Sequence, residues 1–306
     1  MADINRSTNS MSLPSEISSE IIQKTQQESA IMRLARHISL PGNGVTIPVI
    51  TGDPTAAWVA ETGAKPVSNG TPGTKLMQAF KIAVIETFSN EFVRDIPGLY
   101  NAMVQRLPAA LAGVFDSTII GATQAPSQTN FDTFAGCTAQ SILNANNGTY
   151  LGLVAADADI SAHGGVMNGF ALGAQARALL LTAVDTTNRP LFLASATEGV
   201  VDKVLGVPTY FNKNLYKAGT AASGNDAGTP AIVGIAGDWT QAMYGTVSGV
   251  EVSVTDTATL TVGSGNNTTT INLWQQNMIA VRAEIEVGFR ADTSCFNLLT
   301  GAVPTT

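Results

Sequence analysis

The stretch NMIAVRAEIEVGFR, at positions 277–290, decides the fold of this chain. Every second residue from Ile279 to Phe289 is apolar, and the alternate positions through 290 include Arg282, Glu284, Glu286 and Arg290. A period of two predicts a strand with one buried and one polar face, because successive side chains of a strand point to opposite faces. About twelve residues at roughly 3.3 Å each would span about 40 Å, well beyond the usual strand of about 5–6 residues. Such a strand is typical of a subunit that extends across a distance to meet its neighbours. It is not typical of the floor of a small catalytic pocket.

A helix of matching length is predicted between Pro97 and Gly121. Its apolar residues recur at helical spacing, at Leu99, Met103, Leu107, Leu111, Val114 and Phe115. Pro108 lies inside the stretch, so we expect a bend between Val104 and Pro108. At 1.5 Å per residue the helix would be roughly 35 Å long. We therefore predict an elongated layer in which this helix packs on the sheet that contains the long strand.

The segment before that helix predicts an extended arm. Strands are expected at 56–60 and 80–85, and the residues between them, 61–74, are rich in Gly, Pro, Ser, Thr and Asn. Two strands around a long polar excursion form a hairpin, and long loops of this kind are usually functional or disordered. Trp58 lies at the root of the arm, where we expect it to act as a packing anchor.

The residues between the long helix and the long strand predict a compact α/β unit. A helix is expected at 174–181, and buried strands are expected at 191–194 and 231–235. The segments 250–261 and 268–273 flank a Gly-rich turn and predict a hairpin.

The composition favours a subunit of an assembly. The chain has 306 residues, of which 44% are hydrophobic and only 13% are charged, against about 25% charged in a typical soluble domain. Such a surface is either covered by other subunits or rich in Thr, Ser, Asn and Gly. The net charge of −7 argues against a sequence-independent DNA binder, which needs a basic face. The sequence lacks the apolar runs of a membrane span or a signal peptide, so we expect a cytoplasmic protein without a membrane.

The sequence offers few groups for catalysis. Asp157, Asp159 and His163 could bind a divalent cation or begin a hydrolase site; the alternative is a helix N-terminus whose acids complement the helix dipole. Cys137 and Cys295 form no motif and are expected to be buried free thiols. Phosphate-loop, dinucleotide and nucleophile-elbow patterns are missing. We therefore predict no enzyme, no cofactor and no metal.

Ten residues on the arm and on the predicted helix-and-sheet layer are candidates for contacts between subunits. The alternative for each charged residue is ordinary solvation, and those on the long strand could also make contacts within its layer. The candidates are Trp58, Glu61, Lys65, Lys75, Lys81, Arg94, Arg282, Glu284, Glu286 and Arg290.

Seven stretches together resemble the major capsid protein of tailed bacteriophages, whose fold is shared with herpesvirus capsids and encapsulins. The order and spacing of these stretches carry the resemblance, since each motif alone is loose. They include SLPSEISSEIIQKTQQESAIMRLAR at 12–36, IPGLYNAMVQRLPAALAGVFDSTIIGA at 96–122 with Asp116 and Gly121 near its end, and KVLGVPTYF at 203–211 with its Leu-Gly-x-Pro element. The others lie at 56–95, 166–192, 236–254 and 276–301.

The resemblance implies an α+β capsid fold with four parts. These are an N-terminal arm and first helix (1–45), an extended β-hairpin loop (46–88), a peripheral domain and an inserted α/β axial domain (126–270). The peripheral domain would hold a long spine helix (89–125) packed on a long-stranded sheet that includes 271–301.

The resemblance also implies a structural function. Subunits would form hexamers and pentamers and close into an icosahedral virion shell around double-stranded DNA, which an acidic subunit contacts weakly. Assembly in the host cytoplasm would involve a portal protein, a possible decoration protein and a scaffold. Some members carry a fused, cleaved scaffold segment that is not found here, so we expect a separate scaffolding protein unless that segment has been removed. The alternatives are an encapsulin-type compartment shell and a phage tail structural protein.

Overall fold

The structure is a computed structural model that describes residues 29–42, 44–52, 55–61, 63–65, 67–68, 71–95, 104, 106–143, 148–185, 187, 189–192, 203–223, 227–264 and 267–303. The helices within these ranges are α1 (Ala30–Leu34), α2 (Asn90–Asp95), α3 (Leu107–Ile119), α4 (Gly148–Ala162) and α5 (Ala174–Thr182). The strands are β1 (Arg36–Ser39), β2 (Val45–Gly52), β3 (Thr71–Met77), β4 (Phe80–Ser89), β5 (Thr138–Ser141), β6 (Gly169–Leu172), β7 (Lys203–Val204), β8 (Val207–Phe211), β9 (Ile232–Gly237), β10 (Ala242–Thr246), β11 (Glu251–Thr255), β12 (Thr259–Ser264), β13 (Asn267–Asn272), β14 (Met278–Ala291) and β15 (Phe296–Thr300).

The strand predicted at 279–289 is present as β14, which has 14 residues and lies at the centre of a five-stranded sheet. Strand β4 runs antiparallel along one side of it. Strands β10 and β11 pair in succession with its other side, and β1 joins β10 in parallel. Hydrogen-bonding partners on both sides satisfy the backbone groups of β14, and this allows so long a strand.

Helix α3 packs on one face of this long-strand sheet. Its Leu111 is buried in one apolar cluster with Ile285 of β14. The ring centroid of Phe115 lies 6.1 Å from that of Phe289 in a T-shaped arrangement. Helix and strand thus meet through the apolar face that the period-two pattern predicts.

Val104 is helical, and α3 begins three residues later at Leu107. Pro108 therefore lies in the first turn, where the missing N–H breaks no intrahelical hydrogen bond. Arg106 forms a turn just before it, inside the interval where a bend is predicted. Gly121 follows the helix with a φ of +77°, as expected of a residue that ends a helix. Residues 96–103, in the first part of the predicted helix, lie outside the described residues.

The second sheet has six strands in the order β5-β15-β9-β6-β8-β7. Helices α4 and α5 contribute Leu153, Ile160 and Leu180 to the apolar cluster on one face of this sheet. The helix predicted at 174–181 is present as α5, and the strand predicted at 231–235 is present as β9.

Two neighbouring strands pass from the six-stranded sheet into the long-strand sheet. Strand β9 continues through a 3-10 turn (Trp239–Gln241) into β10, and β14 continues through another (Thr293–Cys295) into β15. Asp238 caps the first turn and Asp292 caps the second. The backbone N–H of Asp238 donates to the carbonyl of Cys295 at 3.0 Å, and that of Asp292 donates to the carbonyl of Gln241 at 3.1 Å. The pair therefore remains one antiparallel ribbon across the junction.

The structure corrects three local predictions before and after the long helix. Residues 55–61 form no strand, and the hairpin of the arm is built from β2 and β3 instead of 56–60 and 80–85. Leu191 and Phe192 lie in a bend, and 193–194 fall outside the described residues. In the hairpin predicted at 250–261 and 268–273, only β12 and β13 pair with each other. The earlier part of the first segment is a separate strand, β11, which pairs with β14.

Candidate inter-subunit surfaces

Four charged residues form a ladder on the open face of the long-strand sheet. The register pairs Lys81 of β4 with Glu286 of β14, so that the two side chains share one face. The Lys81 Nζ atom lies 3.2 Å from Glu284 Oε1 and 3.4 Å from Glu286 Oε1, and Arg282 Nε lies 3.6 Å from Glu284 Oε2. The hydrogen bond to Glu284, followed by that to Glu286, raises the pKa of Lys81 above its usual value. The alternating charges of the sequence thus neutralise one another within the layer.

Arg290 belongs to the same alternation but is buried. Its Nη1 atom donates to Asp132 Oδ1 at 2.9 Å, its Nε atom donates to the carbonyl of Leu76 at 2.8 Å, and its Nη2 atom donates to the carbonyls of Leu76 and Thr129. The other oxygen of Asp132 accepts the backbone N–H of Ala291 at 3.2 Å. Arg290 therefore fastens the base of the arm to the loop that follows α3.

The base of the arm covers the C-terminal end of β14. A Cβ atom at Gly288 would lie 2.6 Å from the carbonyl oxygen of Gln78, just beyond β3. Only glycine permits so close a crossing of two backbones. The period-two pattern does not reveal that the base of the arm covers this end of β14, because the pattern assigns Gly288 and Arg290 to the solvent-exposed face.

The tip of the arm, at 55–68 between β2 and β3, is exposed at every described position except Ser68. The backbone N–H of Thr55 donates to Ser68 Oγ at 2.8 Å and so brings the two ends of the tip together. Trp58 is fully exposed and no described residue covers it, so the prediction that it anchors the arm within its own chain is wrong. Glu61, Lys65 and Lys75, on the arm, and Arg94, at the end of α2, are also exposed.

A shallow apolar groove lies on the same sheet face as the charge ladder. Its volume is about 270 Å³, and its walls include Ile85 and Ser253, which flank Arg282 in the sheet register, and Leu260. Ile85 is 49% exposed although it is aliphatic. Arg282 lies at the rim, with 47% of its side chain exposed.

The candidate catalytic residues do not form a catalytic arrangement. Asp157 and Asp159 lie in the last turns of α4 and His163 follows its end, so the suggestion of a helix N-terminus is wrong. The Nδ1 atom of His163 lies 2.9 Å from the carbonyl oxygen of Asp159. Among the described residues, no three His, Cys, Asp or Glu side chains are grouped so as to hold a metal ion. None of the described helices is long and apolar enough to span a bilayer.

Asp116 is a buried carboxylate whose structural role the residue pattern alone did not predict. It lies on α3, and its oxygens accept Ser29 Oγ at 2.5 Å, the N–H of Ala30 at 3.3 Å and Asn212 Nδ2 at 2.8 Å. Burial raises the pKa of Asp116 to about 7, against the lowering effect of the hydrogen bonds from Ser29 and Ala30. The available sequence signal is an acid on the apolar stripe of a helix, and such an acid needs partners. Asp116 ties the start of α1 and the segment after β8 to α3.

The sequence model of the phage capsid family matches residues 10–293. The chain belongs to the phage capsid family. It is 30% identical over 310 residues to a protein described as "Probable major capsid protein gp17" of Mycobacterium phage L5, across 94% of this chain and 89% of that one. It is 26% identical over 297 residues to the major capsid protein of Staphylococcus phage 80alpha, across 95% of this chain and 85% of that one.

Solved structures of phages share the fold. A chain from Mycobacterium phage Ogopogo superposes with a TM-score of 0.71 at 18% identity, covering 90% of this chain and 92% of that chain. A chain from Gordonia phage Cozz superposes with a TM-score of 0.69 at 22% identity, covering 90% and 87%.

Membership of the phage capsid family confirms the resemblance inferred from the sequence and defines the role of the chain. It is a major capsid protein of tailed phages, a structural component of the virion shell, and the compartment-shell and tail-protein alternatives are not favoured. Capsid proteins of this family assemble with themselves into shells of capsomers. The family is structural and not known for catalysis.

Arg290 and Arg282 give a matched test of burial on one strand. We expect Arg290→Ala to lower the free energy of unfolding by about 3–5 kcal/mol, because Asp132 would keep a largely buried charge without its partner. Arg282→Ala, on the exposed ladder, should cost less than about 1 kcal/mol. Urea denaturation of the unassembled subunit measures both. Equal losses of unfolding free energy in the two variants would contradict the role of Arg290 in holding the base of the arm.

Asp116 predicts an unusual pH dependence of stability. Its pKa is about 7 in the folded chain and about 4 in the unfolded chain. The stability that protonation of Asp116 contributes is therefore fully present below the unfolded pKa and is lost as the pH rises through 7. Between pH 8 and pH 5.5 the free energy of unfolding should therefore rise by about 2 kcal/mol from this group.

The Asp116→Asn variant is the control for this pH dependence. It should be less stable at every pH, because its amide N–H₂ would face donors, but it should lack this slope. Urea denaturation of both proteins across the pH range gives the difference. Parallel curves for the two proteins would refute the assignment.

Proposed function

We propose that the chain assembles as hexamers and pentamers into an icosahedral shell that encloses double-stranded DNA. The observation that carries the proposal is the match to the phage capsid family over residues 10–293, which spans nearly every element described above. A rigid layer of helix on sheet suits a shell wall, and an exposed arm suits contact with a neighbour. The net charge of −7 suits an inner wall that holds the packaged DNA weakly.

The four proposed parts follow the order of the elements along the chain. Residues 1–45, of which the structure describes 29–42 and 44–45, are proposed as the N-terminal arm and first helix, and 46–88 are proposed as the extended loop. The peripheral domain comprises 89–125 and 271–301, and the axial domain comprises 126–270. Strand β4 of the loop segment and strands β10 and β11 of the axial segment also contribute to the long-strand sheet. Assembly takes place in the host cytoplasm with a separate scaffolding protein and a portal protein, and a decoration protein is a further candidate partner.

The extended loop is proposed to contact the next subunit through Trp58. A fully exposed indole gains nothing within its own chain, and large aromatic side chains commonly dominate interface energy. Glu61 and Lys65 lie in the tip and Lys75 lies in β3, and their charges of both signs would fix the orientation of the arm on a partner.

The apolar groove of the long-strand sheet is the proposed receptor for the arm of a neighbour. Its volume of about 270 Å³ is below the range of about 300–1,000 Å³ of pockets for drug-sized ligands, and it suits one large side chain. Arg282 at its rim could pair with Glu61 of the incoming arm. The charge ladder of Lys81, Glu284 and Glu286 on the same sheet face would border the contact, and Arg94 is proposed to contact a neighbour elsewhere.

Electron microscopy of the purified full-length protein, alone and with a scaffold from the same phage, tests the proposed function. We expect capsomers or closed icosahedral shells. Native particles should contain double-stranded DNA, whereas enzyme cargo would favour a compartment shell, and fibres or rings would favour a tail protein. A uniformly monomeric chain under all assembly conditions would contradict the proposal.

Trp58→Ala tests the proposed arm contact. The assembled fraction should fall about tenfold or more, because the variant loses a buried aromatic anchor. The melting temperature of the unassembled subunit should not change, since no described residue covers Trp58. Trp58→Phe should retain part of the assembly. Normal assembly of the alanine variant would remove Trp58 from the interface.

A further inference from the structure

We propose that adjacent subunits of a capsomer join head to tail through the six-stranded sheet, with the Leu205 turn of one copy packed on helix α4 of the next. The inference rests on the proposed function, because it names the partner surface within the ring. Its two surfaces lie at opposite edges of one sheet.

The first surface is the turn between β7 and β8. Leu205 and Gly206 form a two-residue turn with φ values of 51° and 80°, closed by the pair Val204 and Val207. Such turns favour Asn-Gly, because both central residues have positive φ. A leucine in this conformation is strained, because its Cβ atom comes too close to the following carbonyl oxygen. Its side chain is nevertheless 38% exposed, so its own chain gains little from the strain, which points to a contact outside the chain.

The second surface is the outer face of α4. Tyr150, Leu151 and Val154 are 43%, 57% and 39% exposed, and their spacing places them on one side of the helix. The opposite side is buried against the sheet, where Leu153 belongs to the apolar cluster. A Cβ atom at Gly152 would lie 1.9 Å from the carbonyl oxygen of Ser141 in β5. Helix α4 is therefore held tightly at the β5 edge, with an apolar face left open.

The sheet order places the two surfaces at opposite ends. Strand β5 lies at one edge and β7 at the other. Two different patches on opposite edges pair as a heterologous contact, and repeated heterologous contacts close into a ring when the rotation permits. A two-fold contact at either edge would pair that edge with itself and leave the surface at the other edge uncovered. The geometry therefore selects a second copy of this chain as the occupant of the α4 face.

The charges beside the two surfaces are complementary. Lys203 is exposed two residues before Leu205. Asp157 lies three residues after Val154 on α4 and flanks its apolar face. In the head-to-tail arrangement the ammonium of Lys203 approaches the carboxylate of Asp157 of the next copy, which favours this register over the reverse one.

Leu205→Asn separates a contact role from a structural one. The change creates an Asn-Gly turn, which suits the positive φ values. The melting temperature of the unassembled subunit should stay the same or rise by about 2–4 °C, while the fraction assembled into capsomers or shells should fall at least about tenfold. A variant that assembles as well as the natural chain would overturn the inference.

A charge exchange tests the pairing itself. Lys203→Glu and Asp157→Lys should each reduce assembly, because each leaves two like charges facing each other across the contact. The double variant should recover assembly, because the exchanged charges are again opposite in sign. Lys213→Glu, the same charge change beside α3, is the matched control and should assemble normally. Double variants that assemble no better than the single ones would overturn the inference. If the natural chain forms no capsomers at all, the proposed function fails instead.

Discussion

The two-stranded ribbon that joins the sheets is the constraint on which the rest of the structure depends. Strands β9 and β15 pair in the six-stranded sheet, and their continuations β10 and β14 pair in the long-strand sheet. The two Asp-capped turns between them exchange backbone hydrogen bonds. Because two strands cross together and stay paired, the sheets cannot rotate independently without breaking these bonds.

Aromatic packing reinforces the same junction. Phe134 stacks on Phe296 at the start of β15 with a centroid distance of 4.4 Å, and it also lies 5.6 Å from Phe289 of β14. Trp239, in the turn after β9, packs edge-on against Phe296 at 5.2 Å. Adding a Cβ at Gly237 would bring it 2.0 Å from the Phe296 ring. One aromatic cluster therefore covers the end of one sheet and the beginning of the other.

A rigid junction gives the exposed surfaces of the subunit fixed relative positions. Arg290 holds the base of the arm, and Asp116 holds the start of α1. Leu205 lies at one edge of the six-stranded sheet, and α4 lies at the other edge. Capsomer contacts require surfaces at defined angles, since small errors accumulate around a closed ring. The buried polar groups thus hold elements in place, and the exposed apolar groups are the surfaces that we propose for contacts with neighbours.

The sequence by itself determined the elements that depend on local periodicity. Alternation fixed β14, helical spacing and Gly121 fixed the end of α3, and the order of loose motifs indicated the family. It could not determine which strand pairs with which, so the hairpin of the arm was assigned to the wrong segments. Periodicity also placed Arg290 on an open face, whereas β3 crosses that end of β14 and buries it. Only the tertiary structure decides such cover, because burial of a side chain depends on chain segments more than two hundred residues away.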